Sequence, residues 1–387
     1  MLEHMGVSSR ILIIAVLLVL GVPRLLGESL AVGSPRALVA AAPVFVPTHS
    51  GATSTSSLPA MPSTIPTAPA SQTPAAEEGV VKNSSLEPQK SDDGLPHVFK
   101  PESLHDSPPL AFDEINVSSR AALVNILCTP LGSAANPSSG SGVFFTPQLI
   151  LTNAHVAQYV FLAQMGLFDA SCVARTGAPA MPRYALRVVH LSASWVEEHA
   201  ADIRTRTRLG TGEHDWAVLL ATPLPSSLPT ATPLPFDTRA GAAFVGDPIL
   251  AAAYPAEFSG TIIMQTQLHP SSAVTVIDRL MTFATSSVDV VSIGSSIAAQ
   301  AGSSGGAVVN QWGKLVGIIT TTSEGATTGD RSLRALTLDY IQRDMKQEIG
   351  RGLEELAGLD PFNLADTFEA ENALILRDVF MHPTRQE

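Results

Sequence analysis

The hydrophobic positions of this chain fall into three regimes. Ile11 to Val22 is an unbroken apolar run, preceded by Arg10 and closed by Pro23-Arg24. A cationic start followed by a stretch of that length reads as a secretory signal, too short to span ~30 Å of hydrocarbon as a helix. Extended to Gly27 through Pro23 and Arg24, it would instead be an uncleaved anchor. Residues 1–27 are therefore expected to be a signal peptide or signal anchor, with 11–27 as a candidate membrane tether. The chain is expected to be exported, either secreted or held at the cell envelope. From Pro43 to Ala76 there is no charged residue, and 19 of the 34 residues are Pro, Ser or Thr. Such a stretch cannot bury enough apolar surface to offset its ordering entropy. Residues 77–114 stay irregular and turn acidic, so 28–114 reads as a spacer. Asn83-Ser84-Ser85 and Asn116-Val117-Ser118 match the glycosylation sequon, which matters only in a eukaryotic secretory pathway.

After residue 120 short apolar runs recur with Gly/Pro punctuation. Leu123–Cys128, Gly142–Thr146, Leu149–Thr152, Ser171–Arg175, Ala185–Leu191 and Trp216–Ala221 read as strands. A Pro/Ser/Thr-rich connector over 222–235 separates them from a second set. That set comprises Pro248–Ala253, Thr261–Leu268, Ser272–Val276, Thr282–Ala284, Ala307–Val309 and Leu315–Thr321. Many short strands at regular spacing predict an all-β architecture of barrels or sandwiches, and two sets of about six suggest two barrels. Ser194-Trp-Val-Glu197 fits a capping box opening a short helix. Leu338, Ile341, Met345, Ile349, Leu353 and Leu356 form the stripe of an amphipathic C-terminal helix, weakened in its last turns by Gly350 and Gly352.

Composition narrows the function. Of the formal net charge of −12, residues 77–120 hold −5 and residues 359–387 hold −4, so the β-rich part is nearly balanced. Without a Lys/Arg block the chain has no footprint for nucleic acid. Two cysteines, Cys128 and Cys172, exclude a four-cysteine zinc site. The ten histidines are scattered without an H-E-x-x-H, so neither a metal nor another cofactor is expected.

Three motifs carry chemistry. His155 follows the strand-like Leu149–Thr152, Asp215 opens the strand Trp216–Ala221, and Ser304 sits in Gly302-Ser-Ser-Gly-Gly306 ahead of Ala307-Val-Val. A serine hydroxyl needs a neighbouring base to act as a nucleophile. The base needs a carboxylate to fix its tautomer and stabilise its cation. A glycine-rich turn can aim backbone N–H groups at a developing oxyanion.

In this order and context, the motifs resemble those of trypsin-like (chymotrypsin-fold) serine proteases, nearest the bacterial HtrA-like branch. The resemblance runs from about 120 to 345, through Gly140-Ser-Gly-Val-Phe-Phe, Leu149-Ile-Leu-Thr-Asn-Ala-His-Val, Asp215-Trp-Ala-Val-Leu-Leu, Gly302-Ser-Ser-Gly-Gly-Ala-Val-Val-Asn and Gly313-Lys-Leu-Val-Gly-Ile-Ile-Thr320. It implies two six-stranded antiparallel β-barrels and a C-terminal α-helix, with a protease domain over 115–345. Barrel one would occupy about 120–222 and barrel two about 236–325, and 346–387 would hold the end of the helix and an acidic tail. It further implies a serine endopeptidase acting on a protein or peptide substrate through an acyl-enzyme. His155 would be the base, Asp215 its carboxylate and Ser304 the nucleophile. The N–H groups of Gly302 and Ser304 would form the oxyanion hole, and Thr320 would support Asp215. Ala298, Thr320 and Thr322 would line the S1 pocket, where the absence of a carboxylate at Ala298 points to a small or medium apolar P1 residue. Ser303 stands where trypsin proper has an activating Asp, so that salt bridge is not expected. The 83 residues after Ser304 leave no room for the PDZ domain of HtrA proper. Cys128 on the first strand and Cys172 on the fourth would form a cross-strand disulfide, the alternative being two buried thiols.

Two other functions compete. Gly302–Gly306 also satisfies the G-x-S-x-G elbow of α/β-hydrolases, with Asp330 or Asp339 as the acid and His382 as the base. A catalytically silent, protease-fold binding module of the cell envelope is the second.

Overall fold

The computed structural model describes residues 105–132, 136–205, 211–225, 231–283, 287–294, 300–322 and 333–383. The expected signal segment 1–27, nearly all of the spacer 28–114 and the sequon at Asn83 lie outside the described residues. Of the spacer, 105–114 is described, and helix α1 (Phe112–Ala122) already begins there. The second sequon falls inside α1, where Asn116 Oδ1 accepts a 2.7 Å bond from the Ser272 hydroxyl.

Strands β1 (Leu123–Pro130), β2 (Ser138–Phe144), β3 (Leu149–Thr152), β4 (Ala170–Thr176), β5 (Met181–Leu191) and β6 (Ala217–Pro223) close an antiparallel barrel in the order β1-β2-β3-β6-β5-β4. Because β1 pairs with both β2 and β4, the barrel has no free edge to template further pairing. Cys128 is opposite Cys172 in the β1–β4 register, and the two are joined as a disulfide across that seam. All four residues of β3 are buried, and helix α2 (Ala154–Gln164) follows it closely and packs chiefly on β5.

The second sheet has the order β8-β7-β11-β12-β13-β10-β9, again antiparallel. Its strands are β7 (Pro248–Ala253), β8 (Ser271–Val276), β9 (Arg279–Met281), β10 (Val290–Ser292), β11 (Ala307–Asn310), β12 (Leu315–Thr322) and β13 (Leu333–Thr337). It is a curled seven-stranded sheet, so the chymotrypsin-like, mostly β architecture holds while the second strand count differs from six. The difference has local causes. β10 is three residues long and β13 is interrupted by Arg334, too little for a hydrophobic pattern. Thr261–Leu268, read as a strand, instead contains helix α5 (Thr261–Thr266). Its β-branched Ile262 and Ile263 are exposed and have no sheet partner. The buried Arg175 guanidinium of β4 takes the carbonyls of Met264 and Gln265 at 2.8 and 2.6 Å, satisfying the helix C-terminus. The strand expected at 282–284 is displaced to β9. Thr282 Oγ1 and Phe283 N are turned to Asp289 Oδ2 instead.

The helices depart further. α2 escapes a period-based reading because it is apolar all round, with Val156, Ala157, Val160, Phe161 and Leu162 buried. Helix α3 (Ala193–His199) is capped by Ser192, whose hydroxyl accepts from Trp195 N at 3.2 Å, not by Ser194. A four-residue turn, α4 (Asp202–Thr205), follows. The C-terminal stripe is two helices: α6 (Leu338–Ile349) stops at Gly350, left-handed at φ 70°, and α7 (Leu353–Ala357) restarts after Gly352. Instead of an unplaced acidic tail there are helices α8 (Pro361–Glu371) and α9 (Ala373–Met381). Phe368 and Phe380 pack on Phe161 of α2, at ring centroid distances of 6.2 and 5.6 Å, and Arg187 of β5 pairs with Asp366 and Glu369. Acidic composition marked the exposed face of these helices and hid the apolar one.

The Cys128–Cys172 bond closes a loop with 44 residues of sequence separation, so the unfolded chain loses conformational freedom when it is intact. The double variant Cys128→Ala/Cys172→Ala is expected to lose about 2–4 kcal/mol of stability, read from the urea midpoint. An unchanged midpoint would mean the seam is held by its strand pairing alone.

Candidate active site

β3 delivers the chain to Asn153, which has extended backbone angles and precedes α2. His155 is thereby set in the first turn of α2, at the mouth of the barrel rather than on a strand. Asn153 Nδ2 donates to the carbonyl of Asp215 at 2.8 Å, drawing the β6 entrance against this turn. Asp215 is 3% exposed. Its Oδ2 lies 2.8 Å from His155 Nδ1 and accepts from Thr320 Oγ1 at 2.7 Å, while Oδ1 accepts from the His155 amide at 3.0 Å. Burial by itself would raise the Asp215 carboxyl. The His155 charge, its two hydrogen bonds and the Thr320 hydroxyl together hold it below the ordinary value of 3.8. With Nδ1 committed to Asp215, the His155 ring presents Nε2 outward, and its side chain is 29% exposed.

Ser304 lies in the turn before β11. Its hydroxyl donates to the Thr320 carbonyl at 3.2 Å, not to His155. Two glycines make the turn possible. At Gly302 (φ 95°) a Cβ would fall 2.8 Å from Tyr254 O, and at Gly305 (φ 84°) 2.1 Å from Ser141 O and 2.4 Å from Thr152 Oγ1. No larger side chain has both the backbone freedom and the room. The amides of Ser303, Gly305 and Gly306 are bonded to Gln300, Ile319 and Ser303 carbonyls. Among the described residues no backbone acceptor engages the amides of Gly302 and Ser304. Ser303, where an acidic residue would stand in trypsin proper, is buried and its hydroxyl has no partner among the described residues.

The residues named from sequence are thus distributed as follows. His155, Asp215 and Thr320 form one hydrogen-bonded cluster, and Ser304 reaches it through the Thr320 backbone. Thr320 spends its hydroxyl on Asp215, leaving only its backbone and methyl for an S1 wall. Ala298 and the side chain of Thr322 lie outside the described residues, as does Asp330. His382 caps the far end of α9, and both sheets are antiparallel, so the α/β-hydrolase reading falls. Among the described residues no three His, Cys, Asp or Glu side chains are grouped to hold a metal ion.

Ser141, between Gly140 and Gly142, adds a contact that the motif does not announce. In the structure its amide donates to Ser304 O at 2.7 Å and its hydroxyl to Gly302 O at 2.7 Å, while that hydroxyl accepts from Tyr254 N at 2.9 Å. Thr152 Oγ1 donates to Ser141 O at 2.7 Å. One buried serine of the barrel therefore grips the serine turn of the second sheet from both ends. A serine set between two glycines, Gly140 and Gly142, inside a strand was the available signal.

Two expectations follow. Gly305→Ala should destabilise the fold by at least about 2 kcal/mol, seen as a lowered urea midpoint; wild-type stability would refute the steric account. Because Asp215 is depressed in the folded state, its contribution to stability is present above the ordinary 3.8 and is lost as pH falls through the folded value. Asp215→Asn should accordingly flatten the acid side of the stability–pH curve, and an identical slope would contradict the assigned shift.

Residues 140–318 match the trypsin-like peptidase domain. No curated protein matches the sequence significantly. Among solved structures, the serine endoprotease from Yersinia pestis is 21% identical, over 63% of this chain and 70% of that one, with a TM-score of 0.41. The active form of a protease from M. tuberculosis is 17% identical, over 66% of this chain and 95% of that one, with a TM-score of 0.40. The matched segment opens in β2 and closes in β12, so it takes in parts of both sheets together with the turn that joins Ser304 to Ser141; the chain is a serine peptidase with a segment similar to the trypsin-like peptidase domain.

Proposed function

We propose that the chain is an endopeptidase that cleaves protein or peptide substrates through His155, Asp215 and Ser304. The observation that carries this reading is the buried Asp215 bonded to His155 Nδ1 beside a serine turn with two uncommitted amides. Ser304 Oγ turns from the Thr320 carbonyl to His155 Nε2 as substrate binds; free enzymes commonly hold this contact loose and tighten it on substrate. His155 Nε2 takes the hydroxyl proton as Oγ attacks the scissile carbonyl. The amides of Gly302 and Ser304 receive the oxyanion, and Asp215 stabilises the imidazolium. The same proton then passes to the leaving amine, giving the acyl-enzyme, which water hydrolyses by the reverse proton path.

A small or medium apolar P1 residue belongs to this reading, supported by alanine at 298 rather than a carboxylate. So does export, which is supported by the apolar run at 11–22 and by a disulfide of the kind that oxidising compartments retain. Whether the 11–27 segment is cleaved or kept as a tether decides between secretion and the envelope.

The rival is a silent binding module, favoured by the Ser304 hydroxyl resting on Thr320 O. Fluorophosphonate labelling separates the two. Wild type should be modified at Ser304, Ser304→Ala should not, and His155→Ala should react far more slowly. Loss of either residue should reduce kcat by about 10⁴–10⁶-fold. A folded wild type that takes no label would establish the binding module instead.

A further inference from the structure

Asp215 is flanked by two residues that reach away from the cleft to the same carboxylate. His214 Nδ1 lies 2.9 Å from Asp344 Oδ2, and Trp216 Nε1 donates to that oxygen at 2.6 Å. The His214 amide donates to Tyr340 Oη at 2.9 Å. Tyr340 and Asp344 are one turn apart on α6. The segment 214–216 is therefore held by α6 at its backbone and at both side chains that bracket Asp215.

The helix itself is rooted in the second sheet. It follows β13 directly, Thr337 caps its first turn and also donates to Val288 O, and Arg343 binds Asp289 Oδ1 at 2.6 Å. One turn beyond Asp344, Glu348 accepts from the Ala193 and Ser194 amides at the start of α3 and lies 3.4 Å from His190, which stacks on Trp216. A helix anchored on one sheet thus grips the entrance strand of the other.

His214 is the only non-glycine described with a positive φ, 57°. A side chain there is held against its backbone preference only when its surroundings over-determine it. Glycine or asparagine would serve a plain turn better. The imidazole is retained where it is used, bonded to Asp344. That bond, against opposing burial, holds the His214 pKa above its ordinary value, as a charge-assisted pair requires.

We propose that Asp344 is a positioning residue of the catalytic site: by bonding both neighbours of Asp215 it sets the orientation of that carboxylate under His155, and so couples helix α6 to turnover. The inference rests on the proteolytic reading given above. Asp344 does not touch the reacting atoms and acts only through His214 and Trp216.

The test compares Asp344→Asn, His214→Gly and their double variant in the full chain. Asp344→Asn keeps the shape but loses the anion. His214→Gly suits the left-handed backbone and so keeps the fold even if the first variant does not. Each should lower kcat by about 10- to 100-fold, with KM within about twofold, and the double variant should lose little more than either alone. A loosened Asp215 stabilises the imidazolium less, so the acidic limb of the kcat/KM profile should move to lower pH. Wild-type kcat and profile in both variants, or fully additive losses, would overturn the proposal. The low-field Nδ1 proton resonance of His155 reads the His155–Asp215 bond without catalysis. It should move upfield in Asp344→Asn, and an unmoved resonance counts against Asp344 whatever the activity. A wild type that neither labels nor cleaves, with the resonance shift present, would remove the protease reading and leave the positioning role standing.

Discussion

The requirement that everything else answers to is the buried carboxylate of Asp215. An ionised group at 3% exposure is tolerable only if its oxygens are met by donors, since an unpaired buried charge costs far more than any single contact returns. Its donors come from two places: the ring and amide of His155 in α2, on the barrel, and the hydroxyl of Thr320 in β12, on the second sheet. Docking the sheets therefore completes the set of donors around Asp215, whose pKa is held down first by His155 and further by Thr320.

A second seam runs parallel to the first. Ser141 of β2 bonds Gly302 O and Ser304 O, which fixes the peptide planes that follow those two residues. The planes that carry the Gly302 and Ser304 N–H groups are fixed in turn by Ala256 N on Ala301 O and Gly306 N on Ser303 O. Preorganised donors avoid reorganisation during reaction, the largest electrostatic advantage of such sites. The glycines of the turn follow from the same closeness: at 2.1–2.9 Å from neighbouring backbone and hydroxyl atoms there is no space for a Cβ at Gly305. The α6 grip on His214 and Trp216 adds a third tie, again from the second-sheet side to the barrel. The geometry of this candidate site is a property of the junction between sheets.

Much of this was legible in the residues. Alternating short apolar runs with Gly/Pro breaks predicted β-barrels because strands of four to eight residues cannot be mistaken for long helices. The glycine-flanked Ser304, the strand-bounded Asp215 and His155 stood out because each breaks an apolar run with a group that chemistry needs. Helix α2 was not legible, since a helix buried on every side has no amphipathic period. Nor was α5, where Ile262 and Ile263 favour a strand and only Arg175, 89 and 90 residues away from the carbonyls it caps, favours the helix. Ser192 took the cap that Ser194 suggested, its hydroxyl accepting from Trp195 N, although only Ser194 has a glutamate three residues on.

The sequence by itself determined the class of fold, which depends on composition and local period that a chain displays without folding. The candidate chemistry-bearing residues stood out by motif and order, and the Cys128–Cys172 pair only through the family resemblance. Tertiary structure alone decided that α8 and α9 clothe the barrel, that Ser141 orients the serine turn, and that Asp344 holds both neighbours of Asp215. Each of these joins residues more than a hundred positions apart through single hydrogen bonds or packed faces. Such contacts leave no periodic trace in the sequence, because one polar residue on a helix looks the same whether it meets water or, as Asp344 does, the indole and imidazole that bracket a buried carboxylate.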